Sequence, residues 1–197
     1  RQDPKKAGDL GIEYGIALVR MELGQYTEAR ALFQGLLATH PGVIPFHTGL
    51  AGAELALGNR DAAFADYEKA MGLFPRNTPL TVHYAEALLA AGQSKKAHTI
   101  LLDLLNNVPP TAEQVRLIAL AASAAGDTAD AYYYMAELHL IKGDVIMAAD
   151  QLRVALATPG LDAVQKARFT SRLAEIQEWL DREQKTRHTQ TAAGKPP

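Results

Sequence analysis

The sequence has no cysteine, a single tryptophan, and aromatic residues at only 7% of positions. The missing cysteine excludes disulfides, thiolate catalysis and cysteine-ligated metals. It does not choose a compartment, because cytosol and periplasm both tolerate cysteine-free chains. No apolar run approaches the ~20 residues of a bilayer span; the stretch from Leu117 to Ala125 falls far short. Neither charge dominates: 20 Lys plus Arg stand against 22 Asp plus Glu, for a net charge of −2. That balance argues against a general nucleic-acid binder or an anionic-membrane binder. There is no initiator methionine and no apolar signal core near Arg1-Gln2-Asp3, so the chain reads as a piece of a longer protein whose targeting signal lies elsewhere. What is present is apolar material, 48% of 197 residues against 21% charged. That is enough for a real core in one or two domains or in one elongated array.

Internal periodicity organises that material. Gly24, Gly58, Gly92 and Gly126 recur every 34 residues, and Pro41, Pro75 and Pro109 keep the same step. So do Ala17, Ala51, Ala85 and Ala119, and likewise Ala29, Ala63, Ala97 and Ala131. The roles fit paired antiparallel helices. Glycine closes the first helix of each pair, at a corner that takes positive φ cheaply. The alanines let two helices approach closely. The large residues Phe33, Tyr67, Leu101 and Met135, four positions after the second alanine, fill the joint between pairs. Proline ends the second helix. Thr78-Pro79 reads as a cap followed by a first-turn proline, and Thr111 to Gln114 as a capping box.

With these marks the sequence resembles the tetratricopeptide repeat (TPR) family. Ile16-Ala17, Gly24, Tyr26, Ala29, Phe33 and Pro41 carry the first repeat; Leu50-Ala51, Gly58, Ala63, Tyr67, Ala70 and Pro75 the second; Tyr84-Ala85, Gly92, Ala97, Leu101 and Pro109 the third. The family's early tryptophan is absent and alanine replaces its first glycine. The resemblance implies an all-α helical-hairpin solenoid of about ten helices with a C-terminal capping helix.

The phase breaks after Gly126, because the next corner glycine, Gly143, comes only 17 residues later. The helix from Ala131 to Leu138 can close a fourth repeat or open a fifth, which predicts a shared or irregular helix near 126–143. The expected organisation is a linker at 1–9, the repeat array at 10–160, a capping helix at 161–184 and a polar tail at 185–197. Val164, Ala167, Leu173, Ile176 and Leu180 are expected on the inner side of the capping helix, with Arg168, Arg172, Glu175, Glu178 and Arg182 mostly outside.

The end pattern is more specific than the repeats. Tyr132-Tyr133-Tyr134, Gly143-Asp144, Ala148-Ala149, Gln151-Leu152, Gln165-Lys166-Ala167-Arg168 and Arg172-Leu173, together with the opening Glu13-Tyr14-Gly15-Ile16-Ala17-Leu18, resemble the C-terminal domain of BepA/YfgC-type periplasmic zinc metalloproteases. This resemblance implies a periplasmic location and protein partners, namely outer-membrane assembly machinery and the parent's own protease domain. It places zinc in a catalytic domain outside this chain. The family's H-E-x-x-H string does not occur here, and none of His40, His47, His83, His98, His139 and His188 pairs with another at i, i+4. No catalytic, cofactor or metal residue is assigned. His83 and Glu86 read as an ordinary pair.

Binding is the remaining chemistry. Positions ten, six and three residues before each corner glycine are expected on the concave side of a tetratricopeptide array. They include Tyr14, Leu18, Thr48, Glu86, Arg116, Tyr133 and Glu137 as candidate groove residues. The set has one arginine and neither lysine nor asparagine, so a carboxylate clamp is not expected. Its apolar character suits an extended or helical peptide, or a helix of the same polypeptide. Three consecutive tyrosines on a helix point about 100° apart, so they cannot all be core; they are either amphipathic packing or a surface for the protease domain. The rival readings are a free-standing adaptor of another cell-envelope or secretion complex, and an enzyme active within this chain.

Overall fold

Each expected corner glycine lies in a turn. Gly24, Gly58, Gly92 and Gly126 have φ of 71°, 81°, 76° and 85°, where a side chain would be strained. In the computed structural model, which describes the backbone of residues 4–193 and the side chains of residues 10–185, these turns separate helices. Ten helices and no strand occur among the described residues: α1 (Pro4–Glu22), α2 (Tyr26–Thr39), α3 (Ile44–Ala56), α4 (Arg60–Leu73), α5 (Thr78–Ala90), α6 (Ser94–Leu105), α7 (Ala112–Ala125), α8 (Thr128–Ile141), α9 (Val145–Ala157) and α10 (Ala163–Ala193). The all-α helical-hairpin solenoid that the tetratricopeptide resemblance implies is the fold observed. No helix among the described residues is long and apolar enough to cross a membrane.

Two compact units divide the chain, residues 1–91 and 92–197. In the first, successive helices pack on one another, α1 also adjoins α3, and α3 adjoins α5. The odd-numbered helices therefore form one layer (A-type) and α2 and α4 the other (B-type). The alternation of small and large residues works as expected. Ala17, Ala29, Ala51, Ala63 and Ala85 are fully buried, as is Phe33, and Tyr67 is 4% exposed. Phe33 sits so deep against α3 that a Cβ added to Gly49 would lie 2.4 Å from its ring. One repeat further, Tyr67 stacks on Tyr84 with ring centroids 5.0 Å apart, and the Tyr84 hydroxyl donates to Glu68 at 3.0 Å. Burial, then the nearby Glu86 charge, pushes the Tyr67 phenol up to about 12.

In the second unit successive helices again pack together, but the neighbour at one remove is α8 with α10. Layering here follows the even numbers, which resolves the broken phase. Gly143 has φ 81°, and the amide of Asp144 donates to the His139 carbonyl at 2.8 Å. The same bond, five residues back, closes the corners at Gln25 (2.9 Å) and Asp127 (2.9 Å). Ala136, seven residues before Gly143, is fully buried, as are Ala148 and Leu152 after it. In the competing register, Ala131 and Met135 are only half-buried. The helix expected to be shared thus follows α7 in the chain but packs as the leading helix of a pair with α9.

Several expected boundaries and faces are corrected. Residues 4–9, expected as linker, are helical in α1, and α10 runs from Ala163 to Ala193 instead of ending at 184. What remains of the expected tail, residues 194–197, lies outside the described residues. The cap of α5 is Asn77, whose side chain accepts from the Leu80 amide at 3.1 Å, and Thr78 is already helical. Asparagine wins because its carbonyl oxygen reaches the third helical amide. At α7 the capping box is as expected: the Thr111 amide donates to Gln114 Oε1 at 3.0 Å and the Gln114 amide to Thr111 Oγ1 at 3.4 Å. On α10, Ile176 is buried as expected, but Val164 is 75% exposed and Ala167 is exposed, while Phe169 is fully buried. The inner face runs through Phe169, Leu173, Ile176 and Leu180, which turns Arg168 and Arg172 toward α8.

Candidate protein-binding surface

The candidate groove residues fall on three kinds of ground. In the first unit, Tyr14 is half-buried, with its ring 5.3 Å from Phe46 and 6.2 Å from Phe33; it is as much core as surface. Leu18, one turn on, is 42% exposed. Thr48 is half-buried and donates its hydroxyl to the Pro45 carbonyl at 3.1 Å, so its polar group is used inside α3. Glu86 is exposed and lies 3.5 Å from His83, the ordinary surface pair expected. Leu18 and Glu86 are therefore the members of this group open to a partner.

In the second unit Arg116 is exposed and 3.5 Å from Glu113, another exposed carboxylate. Such a pair contributes little to stability and leaves the guanidinium accessible. Beside it, α7 and α8 frame a groove of about 410 Å³ that includes Leu120, Ser123, Ala131, Tyr132 and Met135. Leu120 is 54% exposed.

Tyr133 and Glu137 are covered by α10. The Tyr133 ring stacks on Phe169 at 5.0 Å, and the Arg168 guanidinium carbon lies 4.4 Å from its centroid. Burial, then the Glu137 charge, pushes the Tyr133 phenol up. Glu137 accepts two bonds from Arg172, from Nε at 2.7 Å and from Nη2 at 2.8 Å. Arg172 Nη1 also donates to Glu175 at 2.8 Å. The occupant of these two positions is thus a helix of the same polypeptide. Tyr134 is buried at 6% exposure, while Tyr132 and Tyr133 are half-buried. The tyrosine triplet mostly serves packing. Arginine inside the capping helix escaped sequence reasoning because its charge pointed to solvent; the missed signal is the matching pair of acids, Asp130 and Glu137, seven residues apart on α8.

Asp130, 3% exposed, is the second polar anchor of α10. It accepts from Arg168 Nη2 and from Gln165 Nε2, and His98 Nε2 of α6 lies 3.4 Å away. That ring nitrogen is buried without a well-formed hydrogen bond. Asp127 caps α8 by accepting from the Asp130 amide at 3.0 Å and also accepts from Gln165. Burial alone would raise the Asp130 carboxyl; His98, the Arg168 guanidinium and Gln165 outweigh it and hold the carboxyl below its ordinary value. His98, Asp127 and Asp130 are the three-ligand cluster of metal-binding type among the described residues. Their carboxylate oxygens already receive donors from Arg168 and Gln165, so a cation would have to displace a guanidinium. The cluster is a joint between helices.

A stack of antiparallel helix pairs with small-against-large joints and glycine corners defines a class of repeat scaffold whose extended surfaces serve binding. A family model described as tetratricopeptide repeat matches residues 20–65 and 54–122, and the chain belongs to that family. It is 28% identical over 170 residues to the beta-barrel assembly-enhancing protease of Escherichia coli (strain K12), covering 86% of this chain and 35% of that protein. The corresponding protein of Yersinia pestis is 27% identical over 173 residues, covering 88% of this chain and 36% of the relative. The chain thus spans about a third of the length of these curated relatives. Among solved structures, MamA from Desulfovibrio magneticus RS-1 superposes with a TM-score of 0.58 at 17% identity, covering 87% of this chain and 97% of MamA. It shares the fold.

Proposed function

We propose that the chain is the protein-interaction module of a periplasmic metalloprotease of the beta-barrel assembly-enhancing kind, acting in outer-membrane protein assembly and quality control. The observation that supports this reading is the 28% identity to such a protease along 86% of the chain. The partners are outer-membrane assembly proteins and the protease domain of the same polypeptide, with zinc chemistry confined to that domain. This module does no chemistry. It contributes binding energy by burying exposed apolar side chains such as Leu18 and Leu120, while Glu86 and Arg116 set orientation and discriminate between partners. Tyr133 and Glu137 act from beneath, by holding α10.

Site-specific photocrosslinking tests the proposal in intact cells. A photoreactive residue at Leu18 or Arg116 should capture a defined outer-membrane assembly component, and one at Tyr133 should yield chiefly internal adducts to α10. Only a diffuse background from Leu18 and Arg116 would overturn the assignment of these two positions.

A further inference from the structure

The repeat register states what a helix pair holds on its far side. In the first unit Ala29 and Phe33 of α2 are fully buried. They share one cluster with Phe46, Leu50 and Ala53 of α3, and the Phe33 ring occupies the space a Gly49 side chain would fill. Helix α1 completes this seat: the Tyr14 ring lies 5.3 Å from Phe46, and the Met21 methyl would lie 3.7 Å from a Cβ on Gly52. One repeat later Ala63 and Tyr67 of α4 are buried in the same way, with Tyr67 stacked on Tyr84 of α5. Each pair therefore ends in a seat for the leading helix of the next pair.

Three repeat lengths beyond, the seat is built again and left open. Arg116, Leu120 and Ser123 of α7 stand where Tyr14, Leu18 and Met21 stand in α1, and Ala131 and Met135 of α8 stand where Ala29 and Phe33 stand in α2. All five line the α7–α8 groove of about 410 Å³. Ala131 and Met135 are only half-buried, because α9 packs on the other face of α8, where Ala136 and Ala148 share a cluster. The vacancy thus arises inside the chain, at the half-repeat step before Gly143, and not at either end. Its rim also differs from that of the filled seat. A tyrosine and a methionine have become Arg116 and Ser123, both exposed. Permanent joints are apolar throughout, whereas exchangeable ones keep a polar rim around an apolar centre. The rim suits an occupant that binds and leaves.

We propose that the α7–α8 groove binds an amphipathic helix of a separate partner protein, and that this helix carries the pattern of α3: an aromatic residue, glycine or alanine three positions on, leucine at the fourth and a small residue at the seventh. Phe46, Gly49, Leu50 and Ala53 show that pattern in the filled seat. The small residue at the third position admits Met135, whose flexible thioether adapts to an irregular gap. The aromatic ring lies against the Arg116 guanidinium, in place of the contact between Tyr14 and Phe46. Recognition is of the helix-in-groove kind. This inference names the class of segment held beside Arg116 and Leu120, and it rests on the reading of that surface as partner-binding.

A stapled, fluorescently labelled peptide with the α3 sequence, Ile44 to Ala56, is the probe, titrated with the full chain. Its anisotropy should rise to saturation. Amide shifts of the protein should move along 116–135 and stay fixed along 26–39, which shows that the peptide has not displaced α3 from its own seat. Met135→Glu charges the groove and Ala131→Leu fills it, so each should weaken binding by roughly ten-fold or more, as the loss of a central contact does. A peptide with Gly49→Leu should lose as much. Unchanged far-UV circular dichroism and Trp179 emission show that the variants are folded. The proposal is overturned if no saturable binding occurs, if binding survives both protein variants, or if the shifts fall along 26–39. It is equally overturned if the protein alone self-associates and Met135→Glu abolishes that, which would make a second copy the occupant. Crosslinks from Leu120 that stay within the parent polypeptide would overturn it too. Peptide binding without a crosslinked assembly component at Arg116 would keep this seat and remove the assembly partner; crosslinks without peptide binding would do the reverse.

Discussion

Single positions carry opposite consequences for chemically similar changes. Gly49 and Gly52 are both interior to α3, and both look like helix weaknesses in the sequence. A Cβ at Gly49 would meet the Phe33 ring at 2.4 Å, whereas one at Gly52 would meet only the Met21 methyl at 3.7 Å. Phe33 is fully buried and cannot swing away without opening the joint. Gly49→Ala should therefore destabilise by about 1–3 kcal/mol through overpacking. Gly52→Ala should stabilise by up to about 1 kcal/mol, because the helical propensity of alanine is gained at ordinary contact distance. Thermal melts of the two variants should move in opposite directions, and a downward shift for both would refute the distinction. The glycine periodicity was legible in the sequence, but Gly49 lies outside it. What identifies it is a ring from the preceding pair, a contact that no local pattern announces. The Asn77 cap was missed for a related reason: two good capping residues are adjacent, and only the path of the chain decides which is outside the helix.

Among the elements, α10 shows how a helix is fastened by mixed chemistry. Phe169 and Ile176 supply the apolar contacts, while Arg168 and Arg172 reach Asp130 and Glu137. Removing the Phe169 ring leaves a cavity under a fully buried site, with an expected cost of about 3–5 kcal/mol. Phe169→Ala should accelerate amide exchange along 163–180 and red-shift the emission of Trp179, the single tryptophan of the chain, while residues 44–73 keep their protection. Arg172→Ala should give a smaller effect of about 1–3 kcal/mol from the stranded Glu137. If the arginine change proved the larger, the ion pairs would be the main fastening. The sequence showed that a capping helix exists because its apolar residues recur at helical spacing. It misassigned the inner face because Val164 and Ala167 extend the apolar stripe by composition alone. The structure leaves both exposed.

On the scale of the molecule, the two units each hold a buried or half-buried carboxyl, and the two are shifted in opposite directions. The Asp130 carboxyl in the second unit is held below its ordinary value. Its contribution to stability is thus present above the unfolded-state pKa of about 3.9 and fades as pH falls through the lower folded value. In the first unit, burial and then the Glu54 charge push the Asp66 carboxyl up, so the contribution of this one group grows as pH falls. Lowering the pH from neutral toward 3 should lower the transition followed by Trp179 more than one followed by probes in residues 1–91. Asp130→Asn should flatten the tryptophan-detected pH dependence below pH 5, and an unchanged slope in that variant would remove Asp130 as its source. The architecture was readable because the 34-residue recurrence of glycine, proline and alanine fits paired antiparallel helices and carries the tetratricopeptide resemblance that implies the solenoid. The role of α8 was not, since Ala131 with Met135 and Ala136 with Ala148 satisfy two registers equally well in one dimension. Burial breaks the tie by favouring Ala136 and Ala148.

The corner at Gly143 has the same backbone form as the corners inside the pairs, although it follows a helix that a proline-type exit would ordinarily leave. A joint that can be used after any helix frees this architecture from counting in twos. Such a chain can lengthen or shorten by a single rod, and each odd step exchanges which rods adjoin at one remove.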